Sequence, residues 1–413
     1  MYEYEEVRIK MDLIQKNLLE QVAGLHEIPE GAYNIRANGT KLGRNTTANI
    51  DIVTKTDKDG IDIIIKPGTV NESVHIPVLL SESGMQECVY NDFYIGEGAD
   101  VTIVAGCGIH NCGVDTSKHD GVHTFYLEKN AKVRYIERHY GEGDGNGENI
   151  MNPQTIVHLK EGAHMEMETT QIKGIDSTVR VTKGDLAENA SLEIHEKIMT
   201  DGAQTAETDF EVDLDGENSS ADVVSRSVAR GTSHQLFKSK INGNNVCSGH
   251  TECDAIIMDH ASVSAVPQLT ANSTEASLIH EAAIGKIAGE QLIKLMTLGL
   301  TEEEAEAQII NGFLKDLEEL CGVPMPCPLE QTATLHGAYR FGGWGVITPE
   351  VEEFCIRFAR TEGIFIEKVY TCKTLYGMCD LAEKGYFHDG ACYLHSGGIG
   401  ALFSQYHIPG GGV

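Results

Sequence analysis

The sequence predicts a mainly β fold, a β-helix or related β-solenoid, on three observations. Aromatic residues make up only 6% of the 413 residues, with a single Trp at 344, while Gly numbers 44. That mix suits short stacked strands joined by tight turns. From about Ala48 to His280, apolar and polar residues alternate, as in ANIDIVTK and GIDIIIKP, which is the period of a half-buried strand. The same region carries an approximate repeat: a small or polar turn residue, then Ala, then apolar residues at every second position. It is clearest at Ala99, Ala131, Ala163 and Ala190, with weaker copies at Ala221, Ala261 and Ala276. The first three alanines are 32 residues apart and the fourth follows after 27. Strand-and-turn copies at a near-fixed period imply stacked rungs, each burying its inward side chains on its neighbours. A large β-sandwich is the alternative, because ordinary hairpins also give uneven copies. On either architecture His158, His164 and His195 are expected on the surface or as satisfied core histidines.

The flanks have a different period. Met1 to about Leu25 places Ile9, Leu13, Leu18, Val22 and Leu25 at helical spacing among charges, predicting a helical arm. Pro29 and Gly31 break that pattern, so Glu27 to Asn38 is expected as a linker. After Ile284 two helices are predicted, about Ala288 to Met296 and one starting at Thr301. Thr301 with Glu304 forms a capping box. The stripe Ala305, Ile309, Ile310 and Phe313 either packs on the rungs or forms a docking face for a partner helix. The expected divisions are an arm over 1–35, a core over 36–283, helices over 284–316 and a separate α/β segment over 317–413.

Composition excludes several function classes. The formal charge is −30, which disfavours nucleic acid or an anionic membrane surface as partner. No apolar run approaches a membrane span of about 20 residues. MYEYEEVRIKMDLIQKNLL has no apolar h-region, so a cytoplasmic location is expected, and the 11 cysteines are expected as thiols or ligands rather than disulfides. No phosphate-binding loop of the Gly-x-x-x-x-Gly-Lys-Ser/Thr type occurs. Cys107, His110 and Cys112 in AGCGIHNCG resemble a metal knuckle superficially, but lack the Cys-x-x-Cys spacing of a structural zinc site. GEGDGNGEN from Gly141 lacks the ligand order of a calcium loop and is expected as a solvated connection.

The chemistry concentrates between His250 and Glu281. HTECDAII supplies His250, Glu252, Cys253 and Asp254; ASLIHEAAIGKI supplies His280, Glu281 and Lys286. Thiol, imidazole and carboxylate are the ligand types of iron and zinc. His250 is near enough in sequence to lower the Cys253 pKa. One cysteine beside His and Glu suits labile rather than closed coordination of a metal.

HTECDAII, VPQLTANSTEASLIHEAAIGKIAGEQL and GLTEEEAEAQIINGF closely resemble the core and C-terminal helices of the SufB/SufD family, scaffolds of SUF iron–sulfur cluster assembly. The resemblance covers roughly Met1 to Lys315. It implies a right-handed parallel β-helix flanked by helices, an ABC-type ATPase partner (SufC) on the C-terminal helices, and two scaffold subunits paired through their β-helices. It also implies that Cys253 receives sulfur and holds the nascent, transient iron–sulfur cluster, with Glu281 and the adjacent His280 as ligand partners. A cysteine desulfurase and carrier would donate the sulfur. The chain is shorter than long-form SufB, which implies a compact type working as a homodimer or with a SufD-like partner.

From about Leu317 the composition shifts, with Cys321, Cys327, Cys355, Cys372, Cys379 and Cys392 all in this part. GGWGVITPE, ARTEGIFIEKVYTCKTLYGM and YLHSGGIGALF resemble the C-terminal part of the D-cysteine desulfhydrase and aminocyclopropane-carboxylate deaminase family, fold-type II enzymes that use pyridoxal phosphate. Helices over about Pro349–Thr361 and up to Lys384, and short strands at Ile364–Ile366 and ACYLH, are expected. Ser396 matches the residue that contacts the pyridine nitrogen and Tyr370 lies in the family's VYT motif. The Schiff-base lysine and phosphate loop have no counterpart, and Lys373 sits in the wrong motif; without that lysine no internal aldimine forms. A non-enzymatic cluster scaffold is therefore the leading reading, with a pyridoxal-phosphate-dependent sulfur-releasing enzyme or a purely structural solenoid as alternatives.

Overall fold

The computed structural model describes residues 11–287, 292, 295, 296, 300–314, 348–362 and 371–386. The chain divides into two compact units, Met1–Leu320 and Cys321–Val413.

The first unit is a parallel β-solenoid of about eight turns. Its strands alternate along the chain between two ten-stranded sheets. Neighbouring strands in each sheet pair parallel and in register over nearly their full length, for example Lys132–Glu142 on His164–Lys173, then Ser191–Thr200, Ser219–Ala229, Cys247–Ile257 and Ala276–Gly285. Among the described residues antiparallel pairing is confined to the start, where Ala32–Ala37 pairs Thr40–Asn45 and Ile50–Thr54 pairs Gly60–Ile65.

The alanine repeat marks one corner of the stack. Ala99, Ala131, Ala163 and Ala190 are fully buried, each directly before a strand of the first sheet. The residue before each alanine is left-handed: Gly98, Asn130, Gly162 and Asn189, with φ between 56° and 68°. Gly and Asn tolerate that conformation best. Their amides bond rung to rung, Gly98 to the Lys129 carbonyl, Asn130 to Glu161 and Gly162 to Glu188, so the corner is a ladder in its own right. Two of the weaker copies fall elsewhere. Ala221 pairs with Leu192, inside its strand rather than at the corner. Ala261 precedes Ser262–Ala271 of the second sheet.

Inward positions fill one continuous core from Ala32 to Cys253, including Ile63, Phe93, Phe125, Tyr135, Met167, Ile194 and Phe210. Phe93 and Phe125 stack at 4.3 Å between adjacent rungs. Among the described residues, two helices cover the outer face of the first sheet. Leu13–Ala23 is capped by Asp12, which forms a capping box with Gln15, and buries Leu18, Leu19, Val22 and Ala23 against Ile35, Leu79 and Val104. Glu302–Leu314 begins at the expected capping box: the Thr301 amide donates to Glu304 Oε2 at 2.8 Å and the Glu304 amide to Thr301 Oγ1 at 3.2 Å. Its Ile309, Ile310 and Phe313 pack with Val228 and Ile256, so this stripe lies on the rungs. The expected Ala288–Met296 helix lies largely outside the described residues.

One expectation is corrected at the start of the chain. Glu27 to Asn38 is not a linker throughout, because Ala32–Ala37 is a strand pairing with Val70–Leu80. Asn38 and Gly39, at φ 47° and 73°, make the two-residue turn to Thr40–Asn45, the Asn-Gly pattern of a type I′ hairpin. The proline and glycine before it obscure that signal.

In the second unit Pro349–Glu362 and Thr371–Glu383 are helices, packed through Val351, Phe354, Cys355, Cys372 and Leu375. Lys373 is buried within the second helix. Tyr370, Ser396, Cys321, Cys327, Cys392, Trp344 and the two expected strands lie outside the described residues.

Candidate functional site

The last two strands of the first sheet carry the candidate residues, and their register decides which of them meet. Thr251 pairs with His280, Glu252 with Glu281 and Cys253 with Ala282. Successive side chains point to opposite faces of a strand, so odd-numbered residues of Cys247–Ile257 and even-numbered residues of Ala276–Gly285 face inward. Cys253 and His280 thus share the inner face. Glu281 is exposed on the outer face, with His250 and Glu252. The trio drawn from sequence, Cys253, His280 and Glu281, straddles the sheet.

On the outer face, one ligand atom each from His250, Glu252 and Glu281 lies within 4.8 Å of the others. His250 Nδ1 hydrogen-bonds Asp222 Oδ1 at 2.8 Å, the arrangement by which a carboxylate orients a metal-binding imidazole. That bond raises the His250 pKa, with further contributions from Asp222, Glu281 and Glu252 opposing its desolvation. Burial and the neighbouring Asp254 raise the Glu252 pKa. Imidazole and carboxylates so gathered form a mixed N,O donor set suited to a divalent first-row metal.

The inner face is different. Cys253 is 1% exposed, and its thiol is pushed up to about 12, first by burial and then by the charges of Glu196, Asp254 and Glu252. This corrects the expectation that His250 lowers its pKa: the imidazole stands on the other side of the sheet, and the lumen presents the Glu196 carboxylate to the sulfur. Beside it, His280 Nδ1 is buried with no hydrogen-bond partner among the described residues, and burial lowers the His280 pKa.

Below Cys253 the lumen is polar, which sequence reasoning missed. Ser225, in register with Cys253, donates to Glu196 Oε2 at 2.8 Å, and Thr208 donates to Glu196 Oε1 at 2.9 Å. Arg180 Nε lies 3.5 Å from Glu196 Oε1, and Arg180 also pairs with Glu137. Tyr135 donates to Glu137 Oε1 at 3.0 Å and accepts from His123 Nδ1 at 2.8 Å. Asn91 Nδ2 donates to His123 Nε2 at 3.2 Å, so the network fixes His123 as the neutral Nδ1–H tautomer. Burial lowers its pKa to about 4. The network borders a cavity of about 20 Å³, lined in part by Cys107, His119, His123, Glu137 and His139, with room for about one water. The available signal was parity: Glu137, His139, Arg180 and Glu196 occupy inward positions of alternating strands.

Cys107 and Cys112 do not form a shared knuckle. Cys107 is buried and Cys112 exposed. His158 and His164 are satisfied as expected, by Asp185 and by Ser191.

The fold and this site define a class: a parallel β-helix protein whose last strands carry side chains of metal-ligand type on both faces of one sheet. A family profile described as "SUF system FeS cluster assembly, SufBD core domain" matches residues 82–313, more than half of the chain, and the chain belongs to this SufBD family. Curated relatives named iron–sulfur cluster assembly SufBD family proteins agree. The chain is 28% identical over 253 residues to one from Methanothermobacter thermautotrophicus, covering 60% of this chain and 59% of that protein. It is 28% identical over 272 residues to one from Archaeoglobus fulgidus, covering 65% and 71%. It is 29% identical over 259 residues to one from Methanocaldococcus jannaschii, covering 62% and 80%. No helix among the described residues is long and apolar enough to cross a membrane.

Proposed function

We propose that this chain is a scaffold on which an iron–sulfur cluster is assembled, with the cluster as cargo held at the last rung. The carrying observation is the outer-face grouping of His250, Glu252 and Glu281, backed across the same sheet by Cys253 and His280. Iron accepts imidazole, carboxylate and thiolate. His250, oriented by Asp222, supplies a neutral nitrogen once iron displaces its proton; Glu281 and Glu252 supply carboxylates that neutralise the cation. Cys253, held as a thiol by burial, gives up its proton to solvent when a metal takes the sulfur, which makes it a ligand rather than an open nucleophile.

Cargo must be released, and a set with one thiolate releases more readily than four. The last rung also suits a partner. Ala276–Gly285 ends its sheet, and Val266, Leu269, Ile279 and Ile284 on the last two strands are exposed. A second copy of the chain, or a SufD-like relative, stacked there would complete the ligand set. The exposed acidic side of Glu302–Leu314 is the proposed contact for the SufC-like ATPase.

The test is anaerobic reconstitution with Fe(II) and sulfide. Wild type is expected to bind iron and sulfide in stoichiometric amounts, and Cys253→Ser and Glu281→Gln to lose most of that load. A double variant, Cys253→Ser with Glu281→Gln, that loads as wild type would refute the assignment.

A further inference from the structure

The buried state of Cys253 leaves open which thiol first meets a sulfur donor, and a second site on the solenoid answers it. We propose that Cys112 is the entry nucleophile, accepting the outer sulfur of a persulfide with His110 as its base; this rests on the cluster-scaffold reading. Cys112 is exposed, and its Sγ lies 3.1 Å from His110 Nε2. His110 Nδ1 lies 3.1 Å from Glu142 Oε1, and the Tyr140 hydroxyl donates to Glu142 Oε2 at 3.1 Å. Glu142 is the register partner of His110 one rung away. A carboxylate that accepts from Nδ1–H leaves Nε2 to accept the thiol proton, the nucleophile–base–orienter arrangement of activated cysteines. Lys173 lies over the Tyr140 ring, 5.7 Å from its centroid. The charged or titratable groups facing the imidazole are thus Cys112, Glu142 and Tyr140, with Lys173 behind them.

The loop that presents the thiol is built to hold still. The Cys112 amide donates to Ser83 Oγ at 3.0 Å and the Gly113 amide to Asn111 Oδ1 at 3.1 Å. Asn111 is 2% exposed and its Nδ2 donates to the Asp115 carbonyl at 3.0 Å. The 141–147 run, expected as a solvated connection, lies against this loop. A Cβ at Gly143 would come within 2.1 Å of the Asn111 carbonyl oxygen, and one at Gly145 within 2.3 Å of the Gly113 carbonyl oxygen. Only glycine permits so close an approach.

The same hydrogen bonds choose the reaction. The two amides beside the thiol are already committed, to Ser83 and Asn111, and an acyl transfer needs free donors for its oxyanion. Sulfur transfer between thiols develops no oxyanion. Cys112 Sγ gives its proton to His110 Nε2 and attacks the outer sulfur of R–S–SH. A Cys112 S–S bond forms, the R–S to outer-sulfur bond breaks, and the leaving thiolate takes the proton from His110. The balance is Cys112–SH plus R–S–SH giving Cys112–S–SH plus R–SH, with no net change of oxidation state.

The experiment treats the full chain with glutathione persulfide under argon and maps persulfides by alkylation and mass spectrometry, with exposed Cys88 as the internal reference. Cys112 is expected to be persulfidated at least tenfold faster than Cys88 at pH 7. His110→Gln should remove that advantage, and Glu142→Gln should move the pH profile of Cys112 alkylation without changing that of Cys88. Equal rates at Cys112 and Cys88, or no effect of His110→Gln, would overturn the proposal. Reconstitution with iron and inorganic sulfide bypasses entry, so Cys112→Ser should load like wild type. Reduced loading there would assign Cys112 to cluster holding and also overturn it, whereas failure of wild type to load would overturn the scaffold reading alone.

Discussion

The buried thiol of Cys253 makes a quantitative prediction. An exposed cysteine has a pKa near 8.5; Cys253 is raised to about 12 by burial and by the Glu196, Asp254 and Glu252 carboxylates. At neutral pH that reduces its thiolate population by about three orders of magnitude relative to a free cysteine peptide. A more basic thiolate is also a better nucleophile, with a Brønsted slope of about 0.4–0.5, which recovers about thirtyfold. Acidity alone therefore slows alkylation by roughly a hundredfold, and the 1% exposure slows it further. The assay is site-resolved iodoacetamide labelling from pH 7 to 10.5 against a reference peptide. The rate at Cys253 should keep rising across the whole range while the peptide levels off, and Glu196→Gln should raise the neutral-pH rate by removing the lumenal carboxylate that faces the sulfur. Labelling of Cys253 within tenfold of the peptide at pH 7 would refute the argument and restore it as an entry nucleophile.

Three other perturbations follow from the same geometry. Arg180→Met leaves Glu137 and Glu196 buried without their counter-ion and should cost about 3–5 kcal/mol in urea denaturation, partly restored by adding Glu137→Gln. His123, neutral with a folded pKa of about 4 against about 6.5 unfolded, makes folding less favourable as pH falls between those values, by up to about 3 kcal/mol; His123→Gln should flatten that slope in acid titration of the unfolding free energy. Asp222→Asn should weaken Fe(II) binding about ten- to a hundredfold by calorimetry, because it removes the orienting partner of His250.

Much of the fold was legible because a solenoid writes its geometry as a period. Ala99, Ala131 and Ala163 sit at one corner because the sequence repeats them at the length of one rung. The copy at Ala276 holds the corner, in register with Cys247, whereas Ser219 takes the place of alanine one rung earlier, so Ala221 lies two positions late. The site was legible in membership but not in arrangement. HTECDAII and ASLIHEAAIGKI named the right strands, yet which face each ligand takes depends on the register Glu252 to Glu281, which neither segment states alone. The Cys112 relay was within reach, since Glu142 stands 32 residues after His110, one rung of the early repeat. The lumenal Arg180–Glu137 pair spans 43 residues and crosses between sheets, so no single period exposes it.

The strict register of Cys247–Ile257 between its two neighbours gives the site an odd–even grammar. A one-residue insertion before His250, absorbed without a bulge, would turn every later side chain of the strand over. His250 and Glu252 would enter the lumen beside Glu196, and Cys253 would emerge where the carboxylates had been. The same letters in the same order would then spell an exposed thiol and a buried, unpaired acid. Within this strand the count of residues is itself part of the chemistry.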